Sequence, residues 1–226
     1  MRTTTKLAAG AALYVAGLAS ALAVPTVTVV AYSSQGAGNT AGIAFAQGYN
    51  GTTPAGATWS SDPLVTPPPG NLSGVYQSPF NSNALTGTRT YFSVGGVDAA
   101  GDGALSPVTL TLAGAQSVFS LLWGSIDTYN TIEFLGGTVG SYSLTGTGLM
   151  GILNTQFSTS FAPDGNGNYE KVALVNFDFG RDTFSSIKFT STQAALEFAL
   201  PVPEPASLAL MGLGLLGAGF ARRRAR

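Results

Sequence analysis

The polar residues best suited to bind a ligand lie in the stretch WGSIDTYN, from Trp123 to Asn130. Asp127, Tyr129 and Asn130 offer a carboxylate, an aromatic ring and an amide within four positions. On an exposed loop such a set could bind a sugar face or a calcium ion. The same residues also suit a purely structural turn, because Asp and Asn side chains bond readily to nearby backbone groups. Both interpretations stand on the sequence alone.

A second polar loop, PDGNGNYE, places oxygen-bearing side chains at alternate positions: Asp164, Asn166 and Asn168. An EF-hand would require Gly at the sixth loop position and Glu at the twelfth, where this chain has Tyr169 and Val175. The loop is therefore either a plain hairpin turn or a weak surface calcium site. Calcium is the only cofactor that the sequence suggests.

The composition excludes the catalytic sites that depend on His or Cys. The chain has no His and no Cys, which rules out Ser-His-Asp and Cys-His nucleophilic sites and zinc sites built from those ligands. A glycosidase needs only two carboxylates, but the sequence singles out no particular pair. We therefore expect that the protein is not an enzyme.

Short alternating strands must position these loops. Val108 and Leu110 alternate with Thr, and Val175 and Phe177 alternate with polar residues. Many such runs separated by Gly- and Asn-rich turns predict a single antiparallel β-sandwich, jelly-roll-like in type. Only residues 148–156 suit a short helix.

The sandwich is predicted to occupy residues 24–201, with 24–88 less regular than the rest. Trp123, Phe177 and Phe198 lie on apolar faces and are predicted to share one core between the sheets. This region has four basic and ten acidic residues, a net charge of −6. Such a surface repels nucleic acids.

The C-terminal residues combine a proline-flanked acid, an apolar stretch and a basic cluster. Pro203, Glu204 and Pro205 precede the uncharged residues 206–221, and these are followed by four arginines: Arg222, Arg223, Arg224 and Arg226. The apolar stretch would form a helix of roughly 24 Å against a hydrocarbon core of about 30 Å, a short transmembrane span. The positive-inside rule keeps the arginines in the cytoplasm. An ordinary membrane anchor would explain the apolar and basic parts equally well.

Residues 202–226 resemble the PEP-CTERM sorting signal of Gram-negative bacteria, through Pro203-Glu204-Pro205, the short apolar helix and the arginine cluster. The resemblance implies recognition by an exosortase, a membrane protease-transpeptidase that removes the tail. It also implies delivery to the cell surface or extracellular matrix.

Residues 1–23 read as a signal peptide. Arg2 and Lys6 precede an apolar stretch, and Ala21-x-Ala23 is a cleavage site for signal peptidase. The protein is thus predicted to be exported. It would lie in the inner membrane in transit, held by its C-terminal helix until processing.

The stretch from Tyr91 to Phe198 is similar to a group of PEP-CTERM surface proteins that carry a W-G-S-x-D-x-Y-N-x-I core, here residues 123–132. That likeness implies a location and no reaction. We predict a secreted protein with a structural role in an exopolysaccharide- or biofilm-associated matrix. The alternative is a carbohydrate-binding module, with or without the assistance of calcium, that recognises exopolysaccharide through Asp127, Tyr129 and Asn130.

Overall fold

The computed structural model describes residues 24–34, 48–66, 75–80, 89–95 and 106–202. Ala21 and Ala23 of the predicted signal peptide lie outside these ranges. So does the predicted sorting signal from Pro203 onward, with its helix and arginines. Within the described ranges, no helix combines the length and apolarity needed to cross a membrane.

The described residues form β-strands and one helix. The strands are β1 (Thr26–Ser34), β2 (Tyr49–Asn50), β3 (Thr58–Trp59), β4 (Leu64–Thr66), β5 (Tyr91–Val94), β6 (Val108–Gln116), β7 (Val118–Gly124), β8 (Asn130–Gly136), β9 (Gly140–Thr145), β10 (Lys171–Asp178), β11 (Phe184–Ser191) and β12 (Leu196–Pro201). The helix, α1 (Gly146–Phe157), covers the stretch predicted to be helical.

Two antiparallel sheets make up the fold. The seven-stranded sheet has the order β1-β10-β7-β12-β5-β4, with β2 paired to the end of β12. The five-stranded sheet has the order β3-β6-β11-β8-β9. The predicted all-β, sandwich-like fold is confirmed. Its jelly-roll character stays a prediction.

Aromatic side chains from the two sheets meet in the core. Phe189 of β11 stacks on Phe198 of β12, with ring centroids 4.1 Å apart and planes 5° from parallel. Phe134 of β8 meets Phe177 of β10 at 4.7 Å. These rings and Trp123 are fully buried in one cluster. The prediction that Trp123, Phe177 and Phe198 share an inter-sheet core is confirmed.

The centre of the seven-stranded sheet is covered on its other face as well. Residues 75–80 lie there, and Phe80 packs with Leu122 and Ala199 in a second, smaller apolar cluster. Strand β12 is therefore buried on both faces. One consequence is that Glu197, which alternation would turn toward solvent, is buried with 2% of its surface exposed.

Helix α1 begins at a capped turn and ends against β1. The Thr145 hydroxyl accepts a hydrogen bond from the Gly148 N–H, a standard N-cap. In the last turn, Gln156 Oε1 accepts from the Val29 N–H (3.1 Å) and Gln156 Nε2 donates to the Val29 carbonyl (2.6 Å). The Gln156 amide thus pairs with the backbone of β1 as a neighbouring strand would.

Candidate functional site

Strand β7 leads directly into the WGSIDTYN loop, and the first residues of that loop are fixed by packing. Trp123 is buried in the core. Gly124 faces Pro79 so closely that an added Cβ would lie 2.6 Å from the Pro79 Cβ. Ser125 has φ 42°, in the left-handed region. The Trp-Gly-Ser sequence therefore ends the strand and turns the chain beneath residues 75–80.

The two polar loops singled out in the sequence contact each other and form one unit, here called the loop pair (residues 124–130 and 163–170). Asp127 forms an isolated antiparallel bridge with Asn168. The Thr128 N–H donates to the Gly167 carbonyl at 2.9 Å. The Tyr129 hydroxyl donates to Asn168 Oδ1, also at 2.9 Å. Loops about forty residues apart in sequence thus hold each other in place.

Asn130 joins the loop pair to the turn before β12. Its Nδ2 donates to the Ser125 carbonyl (2.8 Å) and to the Ala195 carbonyl (3.3 Å). Its backbone N–H donates to the Asp127 carbonyl (3.1 Å). Asn130 is fully buried. These are the local backbone bonds of a structural turn.

Tyr129 is half-buried, and its one O–H is shared between Asn168 Oδ1 and a second acceptor, the Ala194 carbonyl at 3.1 Å. Burial raises its pKa above the usual value, and the neighbouring Asp127 carboxyl adds to the rise. The hydroxyl therefore stays protonated and serves as a donor that joins the loop pair to the Ala194 turn.

Two buried carboxyls lie beside these contacts. Burial raises the pKa of Asp127 to about 7, although a hydrogen bond from Tyr129 opposes the rise. Burial raises the pKa of Glu197 to about 8, against a hydrogen bond from the Gln77 N–H (2.8 Å) to Glu197 Oε1. Each carboxyl also raises the cost of ionising its neighbours, because their charges repel. At neutral pH Glu197 is mostly protonated.

Sequence reasoning missed Glu197. The only signal for it is that the strand sequence LEFAL has apolar residues on both faces apart from this one acid, a pattern typical of a strand covered on both sides.

The proposed calcium ligands of the second loop are occupied by the loop itself. Asp164 Oδ1 accepts from the backbone N–H groups of Asn166 and Asn168, both at 2.8 Å. Asp164 Oδ2 accepts from Asn168 Nδ2 at 3.1 Å. Backbone hydrogen bonding from Asn168 holds the pKa of the exposed Asp164 below its usual value. The turn is thus held by its own donors, and a calcium site here stays a prediction.

No group of three or more acidic, His or Cys side chains that could hold a metal ion occurs among the residues that the structure describes. The oxygen of Asn168 that calcium would need accepts from Tyr129 instead. The hydrogen bonds of Tyr129 and Thr128 therefore join two loops and the Ala194 turn to each other.

These contacts predict that Asn130→Ala will lower the free energy of unfolding by about 1–3 kcal/mol, since it leaves buried carbonyl groups without donors. Asn166→Ala is the matched control, because its side chain is exposed and only its backbone N–H is bonded. We expect the control to change stability by less than about 0.5 kcal/mol. Urea denaturation measures both, and equal shifts in the two variants would contradict a structural role for Asn130.

Comparison with known proteins identifies the end of the chain. A sequence model described as the PEP-CTERM protein-sorting motif matches residues 201–225. The chain carries a PEP-CTERM sorting motif. This confirms the resemblance seen in the sequence, and it indicates an exported protein that an exosortase processes and directs to the cell surface. No curated protein and no solved structure matches the chain.

The PEP-CTERM motif meets the folded domain without a spacer. Its match begins at Pro201, the last residue of β12, and Pro203-Glu204-Pro205 follows after one further residue. The W-G-S-x-D-x-Y-N-x-I core of the domain stays a resemblance. Its residues include the first of the two loops that form the loop pair, residues 124–130.

Proposed function

We propose that this PEP-CTERM protein is a non-catalytic structural component of the cell surface or extracellular matrix. One observation carries the proposal: the residues best able to bind a ligand are engaged with each other. Asn130 bonds to backbone carbonyls, Tyr129 to Asn168 and Ala194, and Asp127 is 3% exposed. A domain whose polar loop residues stabilise its own fold is suited to a structural role.

The second candidate function is binding of a neutral exopolysaccharide. Tyr129 favours it, because this residue is only half-buried and part of it is accessible to a ligand. Aromatic rings are common lining groups of ligand sites. The −6 charge of residues 24–201 does not oppose a neutral glycan.

A glycan array tests the two candidates against each other, with processed surface protein applied in calcium or in EDTA. The structural proposal expects no saturable signal in either buffer. A saturable signal that Tyr129→Ala abolishes, and that Tyr142→Ala in β9 preserves, would replace it with carbohydrate binding. A signal present only in calcium would also place calcium in the site.

The sorting step is tested at the tripeptide. An ordinary membrane anchor needs only apolarity and flanking charge, so it would tolerate Pro203→Ala with Pro205→Ala. A protease site would not, because proline favours the extended type of peptide that a protease reads. We expect the double variant to accumulate in the membrane roughly 2 kDa heavier than processed protein, the mass of about 20 residues.

Intact-mass measurement of surface protein decides this question. The matched control is Pro163→Ala, which removes an exposed proline about 40 residues before the motif in sequence and should leave processing unchanged. Wild-type surface protein that still carries Arg226 would leave only an ordinary anchor.

A further inference from the structure

The folded sheet ends at Pro201, and Val202 alone separates it from the tripeptide. Strand β12 pairs with β7 and β5 through its first four residues, and with β2 beyond them. Leu200 lies opposite Asn50, and Pro201 lies opposite Tyr49. The Val202 N–H then donates to the Gly48 carbonyl at 2.7 Å. We call this contact between residues 48–50 and residues 200–202 the clasp.

The β2 side of the clasp is anchored to the rest of the domain. The Tyr49 hydroxyl forms a hydrogen bond with the Ser120 hydroxyl on β7 at 3.0 Å. Arg89 Nη1, just before β5, donates to the Tyr49 carbonyl at 3.0 Å. Although β2 is only two residues long, these two contacts fix its position against the sheet.

We propose that the clasp restrains cleavage at the sorting motif. A protease reads an extended peptide through free backbone groups, as in other modes of strand recognition. Immediately before the tripeptide the Val202 N–H is already bonded to the Gly48 carbonyl, and Pro201, which has no N–H to offer, lies opposite Tyr49 in the sheet. The enzyme can therefore bind residues 201 and 202 only when the clasp opens. The inference rests on the proposed exosortase processing.

The opening is confined to the last two residues of the clasp. Val202 is 39% exposed, so its hydrogen bond lies at the surface, where local opening is easiest. Leu200 is fully buried in the core and resists withdrawal. The pairs of β12 with β7 and β5 therefore stay intact, and the domain stays folded while its tail is cut.

A reversible lock tests the inference in the full chain, expressed in a host that has an exosortase. Tyr49→Cys with Pro201→Cys places two thiols on directly opposed antiparallel residues. The Cα atoms of such residues are about 4.5–5.5 Å apart, within the range for a disulfide. The chain has no Cys of its own, so no other bridge can form within one chain. Pulse-chase labelling follows conversion of the membrane-bound precursor to the tailless form.

We expect the oxidised pair to be processed at least about tenfold more slowly than Tyr49→Ser with Pro201→Ser, because the bridge prevents the ends from separating. Added reductant should restore the rate of the Ser variant. Processing of the oxidised pair at the rate of the Ser variant overturns the clasp. Absence of processing in the wild type overturns the proposed sorting step itself and the clasp with it.

Tyr49→Phe decides the matter if the Cys pair fails to fold. It removes only the bond to Ser120, and we expect processing about two- to tenfold faster, the factor that one net hydrogen bond represents. Tyr32→Phe is the matched control, because that ring packs on Phe157 and Phe161, away from β2. If Tyr49→Phe is processed at the same rate as the control, the inference that the clasp restrains cleavage is overturned.

Discussion

Glu197→Gln is expected to abolish roughly half of the fall in stability that the domain shows as the pH rises from about 5 to about 8. Burial raises the pKa of Glu197 from the usual 4.5 to about 8 in the folded protein. Between these two values the folded state holds a proton that the unfolded state has released. The free energy of unfolding therefore falls with rising pH across this window, and it levels off above pH 8.

Asp127 acts in the same direction over a slightly lower range. Burial raises its pKa from 3.8 to about 7. Each pKa unit corresponds to about 1.4 kcal/mol, so the two carboxyls together can change stability by several kcal/mol between mildly acidic and mildly alkaline solution. Glutamine is neutral at every pH and keeps an oxygen that can accept from the Gln77 N–H.

Chemical denaturation at a series of pH values measures the effect. Glu197→Gln should be more stable than the wild type at pH 8 and should show a flatter profile. Glu133→Gln is the control, because this surface carboxylate pairs with Lys188 on the five-stranded sheet and should keep the wild-type slope. A wild-type slope in Glu197→Gln would show that the carboxyl is already ionised in the folded protein.

Phe198→Ala should lower the free energy of unfolding by about 3–5 kcal/mol, the usual result of emptying a large core site. Phe198 is fully buried between the sheets, stacked on Phe189 and 5.3 Å from the Phe92 ring. The loss is a large share of the roughly 5–15 kcal/mol that stabilises a typical domain. A domain at the lower end of that range would be partly unfolded by this substitution alone.

Thermal and urea denaturation measure the loss. Phe157→Ala in the last turn of α1 is the matched control, because that ring is 36% exposed and contacts Tyr32 at the edge of the domain. Its effect should be clearly smaller. Equal destabilisation of the two variants would contradict the central place of the Phe189–Phe198 stack.

The sequence predicted those parts of the fold in which one face of a strand is buried. Val108 and Leu110, and likewise Val175 and Phe177, alternate with polar residues, and the structure buries these apolar side chains. Periodicity reports burial on one face, so it succeeds wherever the other face meets solvent. The sorting motif was predictable for a simpler reason, since its parts adjoin each other in the chain.

Glu197 and the loop pair could not be predicted in this way. Glu197 is buried because residues 75–80 cover its strand, and no local pattern places that distant segment there. Asp127 and Asn168 were each recognised as polar loop residues, but their contact joins positions about forty residues apart. The two-residue strands β2 and β3 are too short to show any period.

The position of β12 bears on when the domain can fold. This strand is the last of the domain in sequence, yet it lies between β7 and β5 in the seven-stranded sheet. Without it, the group β1-β10-β7 and the pair β5-β4 share no strand pairing. Because a chain is synthesised from its N-terminus, this sheet cannot close until residue 201 has emerged. Until then the two parts of this sheet can form locally, but β12 does not yet join them.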